Sequence, residues 1–265
     1  MPERLYPGDP LTPDEREAFE SDLVSFCDRE LDLLGDIEGL AVLYAGGSSP
    51  LWLEGVSQRI GDKGAVTVLD ADPKRIEECR ELLWYAAPTV PVQLVVGDIF
   101  QPPFEPGAFD LAYSAGLFHE LDVRGRTAGN ALAALVSMVQ PDGRVATSDF
   151  VDSVPAVQLE DEALGRELAR EVSGAVLYGV GPSNRLVTLH EELLAEVRWR
   201  VLPPYPIRHL DKIVIAEEEP EELRGLPIET RRRLRERRKV LRKRIERETY
   251  TRPATLYLEG FVTGG

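Results

Sequence analysis

Short apolar runs alternate with helical stretches along the first 150 residues of the chain. Three of these runs, which start at Ala41, Ala65 and Val92, each end in a small or acidic residue at a turn. Strands and helices that alternate at this spacing predict an α/β fold, with a parallel sheet covered by helices on both faces. Because ligands bind beyond the carboxyl ends of such strands, the three turns should line one cleft, the layout of a nucleotide-type cofactor site.

The alternation continues toward the end of the chain. It predicts further strands at 109–114, 144–149, 197–202 and 255–262, and helices at 51–60, 129–139 and 159–172. Asp72 is expected to cap another helix, with Pro73 in its first turn. The helical signals are weaker between 151 and 187, and we interpret this segment as an insertion that covers the site.

Two capping boxes mark helix starts. Thr12 and Glu15, with Pro13 between them, predict a helix whose apolar positions recur at helical spacing to about residue 34. Thr188 and Glu191 predict a second helix that leads into the strand at 197–202.

The composition is that of an ordinary globular protein. Hydrophobic residues make up 43% of the chain, and no apolar run approaches the ~20 residues that cross a bilayer. The first residues lack the basic and apolar regions of a signal peptide, so we expect a cytoplasmic location and no membrane. Cys27 and Cys79 form no CxxC pair, which predicts no metal site. The tryptophans, Trp52, Trp84 and Trp199, are expected in the core.

The charge is unevenly distributed. The net charge of −15 disfavours nucleic-acid binding through the body of the protein, yet residues 231–248 carry eleven Arg or Lys and three Glu. The acidic run 217–222 lies nearby and favours charge pairing within the chain. A solvated helix, the arm of a homodimer and a nucleic-acid contact remain open as roles for the basic stretch, and we expect no nucleic-acid partner.

Several motifs stand in an order that resembles the class I S-adenosylmethionine-dependent methyltransferases, and the chain is similar to the small-molecule group that includes quinone-biosynthesis enzymes. The motifs are Gly97-Asp98-Ile99, Pro102-Pro103-Phe104, Phe109-Asp110-Leu111, Leu117-Phe118-His119-Glu120-Leu121 and Val139-Gln140-Pro141-Asp142-Gly143-Arg144. The resemblance implies a Rossmann-like, doubly wound, seven-stranded sheet, mostly parallel with an antiparallel last strand, plus helical additions. It also implies S-adenosylmethionine as the cofactor.

The resemblance assigns roles along the strand ends. Asp70 would accept hydrogen bonds from the ribose hydroxyls, and Asp98 from the adenine amino group, while Ile99 offers a backbone N–H. Ala71 and Phe100 would be the apolar walls of the adenine. The methionine end and the reactive methyl group would be contacted by the remaining predicted cofactor residues: Tyr44, Gly46, Gly47, Ser48, Ser114, Ala115 and Gly116.

The first motif departs from the family pattern. The first glycine is kept as Gly46, but Tyr44 stands where the family has an acidic residue, and Ser48 and Pro50 replace later glycines. Ser48 can still offer a hydroxyl group to a ligand, and Pro50 fits the first turn of a helix.

Two residues are candidates for catalysis. His119 lies near the end of the fourth strand and has a pKa range suited to a general base, which a hydroxyl acceptor would need. The same histidine could instead line the cofactor pocket or cap a helix. Asp149, at the end of the fifth strand, is the second candidate.

These observations predict one methyltransferase domain over 1–265 that acts on a small-molecule O, N or C nucleophile. It would consist of a helical cap (1–36), a cofactor-binding core (40–150), a lid insertion (151–187) and a C-terminal part (188–265) with a charged helix at 219–248. Two alternatives remain: a nicotinamide-dependent oxidoreductase, and a catalytically silent protein that binds the cofactor or acts as a scaffold.

Overall fold

The computed structural model describes residues 10–46, 49–86, 88, 90–152, 156–217, 219–248 and 250–263. Its strands are β1 (Ala41–Ala45), β2 (Ala65–Asp70), β3 (Val92–Val96), β4 (Phe109–Ala115), β5 (Val139–Phe150), β6 (Ala195–Leu202) and β7 (Thr255–Phe261). Its α-helices are α1 (Pro13–Leu31), α2 (Pro50–Ile60), α3 (Pro73–Ala86), α4 (Leu117–Glu120), α5 (Ala128–Met138), α6 (Ala156–Ser173), α7 (Ser183–Glu191), α8 (Leu210–Ala216) and α9 (Ile228–Ile245).

The strands form one seven-stranded sheet in the order β3-β2-β1-β4-β5-β7-β6. The first five strands run parallel, and β7 lies antiparallel between β5 and β6. This confirms the predicted Rossmann-like sheet with its antiparallel last strand. The strand order reverses between β1 and β4, and the crevice at such a reversal is where open α/β sheets bind ligands.

Two hydrophobic cores lie on the two faces of the sheet. Helices α1, α2 and α3 cover one face, and α5 and α7 cover the other. Successive strand residues alternate between the cores, since Tyr44 packs in the first core and its neighbour Leu43 in the second. Cys27 and Cys79 are buried in the first core, where burial raises the pKa of both thiols.

Local caps begin α1 and α3 as the sequence predicts. The Thr12 hydroxyl accepts a hydrogen bond from the Glu15 N–H at 3.4 Å, and the Thr12 N–H donates to Glu15 Oε2 at 3.1 Å. Asp72 Oδ1 accepts from the Lys74 N–H at 2.8 Å. Both caps satisfy backbone donors that the first helical turn leaves without a partner.

Two helix predictions are wrong in position. Helix α7 begins at Ser183, directly after Pro182, so Thr188 lies inside the helix rather than at its cap. The charged helix begins at Ile228 instead of 219, after a 3₁₀ turn at Glu221–Gly225. The reason is Pro227, which disfavours helical conformation at the residue before it; Leu226 is extended, with φ −79° and ψ 155°.

Two of the tryptophans lie outside the predicted core. Trp52 is buried, but Trp84 is 84% exposed and Trp199 is 54% exposed. Trp84 follows the buried Cys79 by five residues, which places it about 140° around α3 from that buried face. Trp199 lies on β6, the last strand of the sheet, where part of one face is uncovered.

The basic helix α9 packs against acidic groups of the same chain. Glu167 of α6 contacts both Arg233 and Arg237, and two further pairs join Arg244 to Glu160 and Arg235 to Glu219. The positive charge of α9 is therefore largely paired inside the molecule, as the neighbouring acidic run suggests.

Candidate functional site

The carboxyl ends of β2 and β3 bring the two predicted aspartates to one edge of the sheet. Asp70 is the last residue of β2, and its backbone carbonyl accepts a hydrogen bond from the Gly97 N–H at 2.9 Å. Asp98 follows Gly97 directly, so the two carboxylates belong to neighbouring strand ends. This is the arrangement that an adenosine ligand needs, with one carboxylate for the ribose and one for the base.

A glycine turn follows β1 at the same edge. Gly46 has a φ of +63°, a conformation that glycine adopts without strain. A Cβ atom at this position would lie 2.3 Å from Leu117 Cδ1, so the turn packs closely against the start of α4. The predicted contacts Gly47 and Ser48 lie outside the described residues.

Helix α2 begins at Pro50, shortly after this glycine turn in the sequence. Ser49 makes no side-chain cap, and the first turn of α2 holds no acidic residue. Backbone N–H groups at a helix start attract anions, so the site fits the carboxylate of a methionine group. Tyr44 is linked to the start of α2, because its buried hydroxyl group accepts a hydrogen bond from the Ser49 N–H at 3.2 Å.

Local hydrogen bonds hold the Asp70 side chain at the end of β2. It is only 9% exposed, and its Oδ1 accepts from the Asp72 N–H at 2.8 Å. The intervening Ala71 is exposed at the edge of the sheet. A short carboxylate with a fixed orientation suits the recognition of paired hydroxyl groups.

Asp98 is paired with Arg126, a residue that the sequence motifs do not include. Asp98 Oδ1 accepts from the Phe100 N–H at 3.0 Å, and Oδ2 accepts from Arg126 Nη1 at 2.6 Å. The Arg126 guanidinium also lies over the Phe100 ring, 4.0 Å from its centroid. Partial burial favours a higher pKa for Asp98, but the hydrogen bonds from Arg126 and Phe100 outweigh it and lower the pKa.

Arg126 thus covers two of the four residues that the resemblance assigns to the adenine, Asp98 and Phe100. Ile99, the predicted backbone donor, is 8% exposed and lies in the second core. An adenine ring that uses Asp98 and Phe100 has to displace this guanidinium or share its partners.

The end of β4 closes the site on the other side of β1. Ser114 is fully buried, and Ala115 is the parallel neighbour of Ser148 on β5. Gly116 has a φ of +78°, and its N–H donates to the Ser148 carbonyl at 2.8 Å. A Cβ atom at Gly116 would lie 3.3 Å from His119 Cε1, so the small residue leaves room for the histidine ring.

The two catalytic candidates contact each other. His119 Nδ1 lies 2.8 Å from Asp149 Oδ1, and both residues are buried. Asp149 Oδ2 accepts from the Phe118 N–H at 2.5 Å, so the same carboxylate also caps the start of α4. The His119 ring packs on Phe150 at a centroid distance of 4.6 Å.

This contact fixes the charge state of His119. Burial acts to lower the pKa of the imidazole, but the Asp149 carboxylate outweighs it and raises the pKa to about 9. His119 is therefore an imidazolium at neutral pH. A protonated histidine donates hydrogen bonds and does not accept a proton, so the geometry favours a positioning role near neutrality.

A small cavity of about 10 Å³, room for about one water molecule, lies beside this pair. Its lining includes Tyr178 and Arg185 from the segment that follows α6, and the Gly179 N–H donates to the His119 carbonyl at 3.1 Å. The segment predicted as a lid therefore contacts the strand ends near the catalytic candidates. The volume is below the range of about 300–1,000 Å³ that is typical of small-molecule sites.

A second buried histidine, His190, has a structural role. Its ring nitrogens lie 2.9 Å from Thr147 Oγ1 and 2.7 Å from the Leu186 carbonyl oxygen. Burial lowers the pKa of this imidazole to about 4, so it is neutral at physiological pH.

Sequence reasoning missed Arg126 and Glu30. Arg126 lies in the connection after α4 and reaches back 28 residues to Asp98, a distance along the chain at which no pattern predicts pairing. Glu30 is 3% exposed and lies on the buried face of α1. A signal for it exists, because an acidic residue follows Phe26 by four and Cys27 by three, within the apolar stripe of the helix.

Two kinds of feature are absent from the described part of the chain. Its His, Cys, Asp and Glu side chains form no group of three or more that could hold a metal ion. Among the same residues, no helix combines the length and apolar character needed to cross a membrane.

Comparison with known proteins identifies the fold family. Residues 42–143 match the family model described as a methyltransferase domain. No curated protein matches the sequence of the chain. Among solved structures, an S-adenosylmethionine-dependent methyltransferase from Aquifex aeolicus is 14% identical with a TM-score of 0.54, covering 95% of this chain and 100% of that one.

Two further structures share the fold. The geranyl diphosphate C-methyltransferase of Streptomyces coelicolor A3(2) is 12% identical with a TM-score of 0.55, and the match covers 96% of this chain and 86% of that one. The cyclase SpnF is 14% identical with a TM-score of 0.58, over 92% of this chain and 82% of that one. Residues 42–143 therefore resemble a methyltransferase domain, and the sheet of the whole chain has the fold of these solved methyltransferases.

Proposed function

We propose that the chain transfers a methyl group from S-adenosylmethionine to a small-molecule nucleophile. The observation that carries the proposal is the pair of carboxylates, Asp70 and Asp98, on adjacent strand ends beside the Gly46 turn. Methyl transfer needs little covalent chemistry from the protein, because the cofactor supplies an activated methyl group and the protein aligns the acceptor.

Each part of the cofactor has an assigned place in this proposal. Asp70 binds the ribose, and Asp98 with the Ile99 N–H binds the adenine edge, between Ala71 and Phe100. The methyl group lies beside the small residues at the end of β4. The residues assigned to the methionine end and to the methyl group are Tyr44, Gly46, Gly47, Ser48, Ser114, Ala115 and Gly116.

His119 and Asp149 form one unit in the proposed mechanism. The Asp149 carboxylate accepts from the α4 backbone and from the imidazolium, which orients His119 at the end of β4. His119 becomes a general base only above about pH 9, where it loses its proton. Near neutral pH, a hydroxyl acceptor therefore needs another group to take its proton.

We propose the division of the chain as one domain with two covers. Helix α1 covers the first core, and the segment from 151 to 187 packs against the strand ends from the other face. Ion pairs tie each cover to a neighbouring element, as in the contact of Asp22 with Arg208 at 2.7 Å. Opening of a cover would admit the acceptor, and closing would exclude water.

The acceptor class is a finer proposal. The quinone-biosynthesis group is favoured by the order of the sequence motifs, and the geranyl diphosphate C-methyltransferase is a structural neighbour that acts on a small molecule. The SpnF neighbour is a cyclase, so this fold also supports chemistry other than methyl transfer. The catalytically silent alternative therefore remains, and the calorimetry described next tests it as well.

Titration calorimetry with S-adenosylmethionine, S-adenosylhomocysteine and NAD tests the proposal. We expect both sulfur ligands to bind and NAD to remain unbound. Binding of NAD without the sulfur ligands would favour the oxidoreductase instead. Binding of both sulfur ligands without methyl transfer to any small molecule would favour the silent relative.

A homodimer and a cytoplasmic location stay predictions. The exposed apolar side chains Trp199 and Val201 lie two residues apart on one face of β6. If this face joins two copies, Trp199→Lys should convert the dimer into monomer in light scattering, while the surface variant Arg198→Lys should leave the mass unchanged.

A further inference from the structure

Two arginines lie against a short glycine-containing stretch at 179–181 and take no part in the cofactor site described above. They are Arg166 of α6 and Arg185 of α7. A Cβ atom at Gly179 would lie 2.8 Å from Arg166 Cδ, and one at Gly181 would lie 3.1 Å from Arg185 Cδ. In each case a guanidinium nitrogen would be closer still. The two glycines therefore leave the room in which both arginine side chains lie.

Backbone hydrogen bonds hold this stretch at the carboxyl ends of β4 and β5. The Gly179 N–H donates to the His119 carbonyl at 3.1 Å, and the Asp152 N–H donates to the Gly181 carbonyl at 3.0 Å. His119 belongs to α4, which follows β4, and Asp152 lies two residues after the end of β5. Because open α/β sheets bind ligands at this end, the stretch lies on the functional side of the sheet.

Arg185 forms an exposed part of the wall of the cavity beside His119. Both residues line that cavity, which has room for about one water molecule. The Arg185 guanidinium lies over the Tyr178 ring, 3.9 Å from its centroid, and its Nη2 donates to the Tyr178 carbonyl at 3.4 Å. Exposed side chains change rotamer within nanoseconds. Movement of Arg185 away from Tyr178 would therefore enlarge the cavity without any change in the backbone.

Neither arginine forms an ion pair with a carboxylate in the part of the chain that the structure describes. The arginines of α9 behave differently, since Arg233, Arg237 and Arg244 each pair with a glutamate of α6. Arg166 lies on that same helix α6, in a chain with 46 acidic residues against 31 lysines and arginines. A guanidinium group that lacks a carboxylate in so acidic a chain is available for an anionic ligand.

The other charged groups at the cavity are largely occupied with each other. His119 has a pKa of about 9 and is positive at neutral pH, and Asp149 is its counter-ion at 2.8 Å. Glu120 is exposed and lies 3.8 Å from His119 Nε2. Burial raises the pKa of Glu162, and the charges of His119 and Arg166 act against that rise. An anionic ligand would therefore be held by the arginines rather than by the imidazolium.

The side chains at the cavity favour an acid with an apolar body. A guanidinium group presents N–H donors in a planar fork and no acceptor, and this fork matches carboxylate and phosphate groups. An ammonium group would meet like charge at Arg185. Phe118, Phe150 and Tyr178 line the same cavity and add apolar ring surface beside the charge. The ligand class is therefore a small organic oxyanion.

We propose that Arg185 binds an acidic group of the methyl acceptor, with Arg166 adding positive charge, so that the acceptor is a small carboxylate or phosphate compound. This inference rests on the proposed methyltransferase function and names the substrate class for the same site. When the acceptor enters, the Arg185 guanidinium leaves the Tyr178 ring and pairs with the anionic group. The pair joins the segment 151–187 to the acceptor, whose nucleophile then faces the end of β4.

Binding of simple acids tests the substrate class. Benzoate and phenyl phosphate are the anionic probes, and benzamide is the neutral counterpart of benzoate. Calorimetric titration near neutral pH uses the full chain, alone and with an excess of S-adenosylhomocysteine. At least one acid should bind about tenfold more tightly than benzamide, as expected for a hydrogen-bonded pair between charged groups. The tighter of the two acids shows whether the acceptor carries a carboxylate or a phosphate.

Variants of the two arginines test the residues. Arg185→Gln should weaken binding of the preferred acid about tenfold, to the level of benzamide. Arg185→Lys keeps the charge without the planar fork and should lose about threefold. Arg166→Gln should lose less than Arg185→Gln, because Arg166 contacts Gly179 but does not line the cavity. Since Arg185 is exposed, Arg185→Gln should keep the wild-type melting temperature.

The matched control is an exposed arginine on another element. Arg198 lies on β6 and, within the described residues, also has no carboxylate partner. Arg198→Gln removes the same charge from the molecule and should leave the affinity for the acid unchanged.

The imidazole signals in nuclear magnetic resonance locate the bound acid. The chain has three histidines, so their ring ¹H–¹⁵N correlations are few enough to assign. His119 lines the cavity, and its signals should shift when the preferred acid binds. His209, whose Nδ1 lies 3.8 Å from Glu15 Oε1 near the start of α1, should keep its position. Benzamide at the same concentration should leave the His119 signals in place.

Several results would overturn the inference. It is wrong if neither acid binds more tightly than benzamide, or if Arg185→Gln keeps the wild-type affinity. An equal loss in Arg198→Gln, or a shift of His209 without one of His119, would show that the acids respond to surface charge elsewhere.

Titration of S-adenosylhomocysteine separates this inference from the function on which it rests. If the sulfur ligand binds and the acids fail, only the acceptor class is wrong. If the sulfur ligand does not bind, the methyltransferase function is wrong. Acid binding that is lost in Arg185→Gln would then show an anion site at this cavity and contradict its role as an acceptor site.

Discussion

Arg126 contacts Asp98 and Phe100, two of the residues that we propose for the adenine. The guanidinium gives Asp98 a hydrogen bond at 2.6 Å and lies 4.0 Å from the Phe100 ring centroid. The ion pair is partly exposed, so its two contacts together stabilise the free protein by only about 1–2 kcal/mol. A cofactor that binds here has to offset this amount.

Replacement of Arg126 should therefore strengthen cofactor binding. Arg126→Ala frees both groups in advance, and we expect the dissociation constant of S-adenosylhomocysteine to fall by about five- to thirtyfold. Calorimetric titration measures the change. The matched control is Arg124→Ala, which removes a nearby arginine that pairs with Asp122 instead. Weaker binding in Arg126→Ala would mean that the guanidinium stacks on the bound base rather than competing with it.

Asp98 should have the opposite effect. Asp98→Ala removes the acceptor for the adenine amino group, and we expect S-adenosylhomocysteine to bind more weakly by about 1–3 kcal/mol. The same calorimetric titration measures it. Asp62→Ala is a suitable control, because Asp62 is an exposed aspartate before β2, at the opposite end of that strand from Asp70. An unchanged affinity in Asp98→Ala would contradict the assignment of this residue.

The His119 pair should make stability depend on alkaline pH. The folded protein holds the pKa of His119 at about 9, above the ordinary value of 6.5. The contribution, on the order of 3 kcal/mol, is therefore complete below pH 6.5 and is lost as the pH rises through 9. Denaturant unfolding at a series of pH values measures it.

His119→Gln removes the titrating group at this position. The decline in stability between about pH 7 and pH 9 should be shallower in that variant than in the wild type. His190 does not interfere, because its lowered pKa affects stability on the acid side. Parallel curves for the two proteins across this range would show that His119 is not held as an imidazolium.

Single residues were predictable where chemistry and strand position coincide. Asp70 and Asp98 could be placed because each follows an apolar run, and the sheet fixes where such runs end. Arg126 and Glu30 could not be placed in the same way. The first acts across 28 residues of chain, and the second depends on which strands pack under α1, a tertiary contact that helical periodicity does not specify.

Glu167 is the centre of the contact between α6 and α9. Its side chain is only 10% exposed and faces both Arg233 and Arg237. Loss of this carboxylate leaves two arginines without their partner in a partly buried interface. Glu167→Gln should lower the free energy of unfolding by about 1–2 kcal/mol, and high salt should reduce the difference.

The control for this contact is another acidic residue with an arginine partner. Glu229 pairs with Arg232 on α9, and both side chains are more than 70% exposed. Glu229→Gln should cost less than about 0.5 kcal/mol. Denaturant unfolding compares the two variants at low and high salt. Equal costs would show that burial of Glu167 does not strengthen its pairs.

Elements were predictable where local signals agree with packing. The box of Thr12 and Glu15 begins α1 because Pro13 follows it and the buried residues Phe19, Phe26 and Leu31 recur at helical spacing. The box of Thr188 and Glu191 has the same letters, yet α7 already begins at Ser183, since Pro182 precedes a favourable first turn. Pro227 also divides the charged stretch 219–248 into a 3₁₀ turn and helix α9, a break that its charged composition does not predict. A capping box therefore predicts the start of a helix only where an apolar stripe at helical spacing begins at the same position.

At the scale of the whole molecule, the residues proposed for the cofactor lie at one edge of the sheet. Asp70 and Asp98 lie at the ends of β2 and β3, on one side of the strand reversal at β1 and β4. The end of β4 and the pair of His119 and Asp149 lie on the other side. The sheet order thus separates the carboxylates proposed for adenosine from the catalytic candidates.

Cofactor binding at this edge should stabilise the folded chain as a unit. A ligand that binds only the folded state, present at 100 times its dissociation constant, adds about 2.7 kcal/mol. For a domain of this size, each kcal/mol raises the melting temperature by about 2–4 °C, so S-adenosylhomocysteine should raise it by about 5–11 °C. A thermal scan with and without the ligand measures the shift, and NAD at the same concentration should leave it unchanged. In Asp98→Ala the shift should shrink at fixed ligand concentration, because weaker binding lowers the ratio on which it depends. A full shift in Asp98→Ala would show that Asp98 does not bind the adenine. An equal shift with NAD would indicate that this edge binds a dinucleotide.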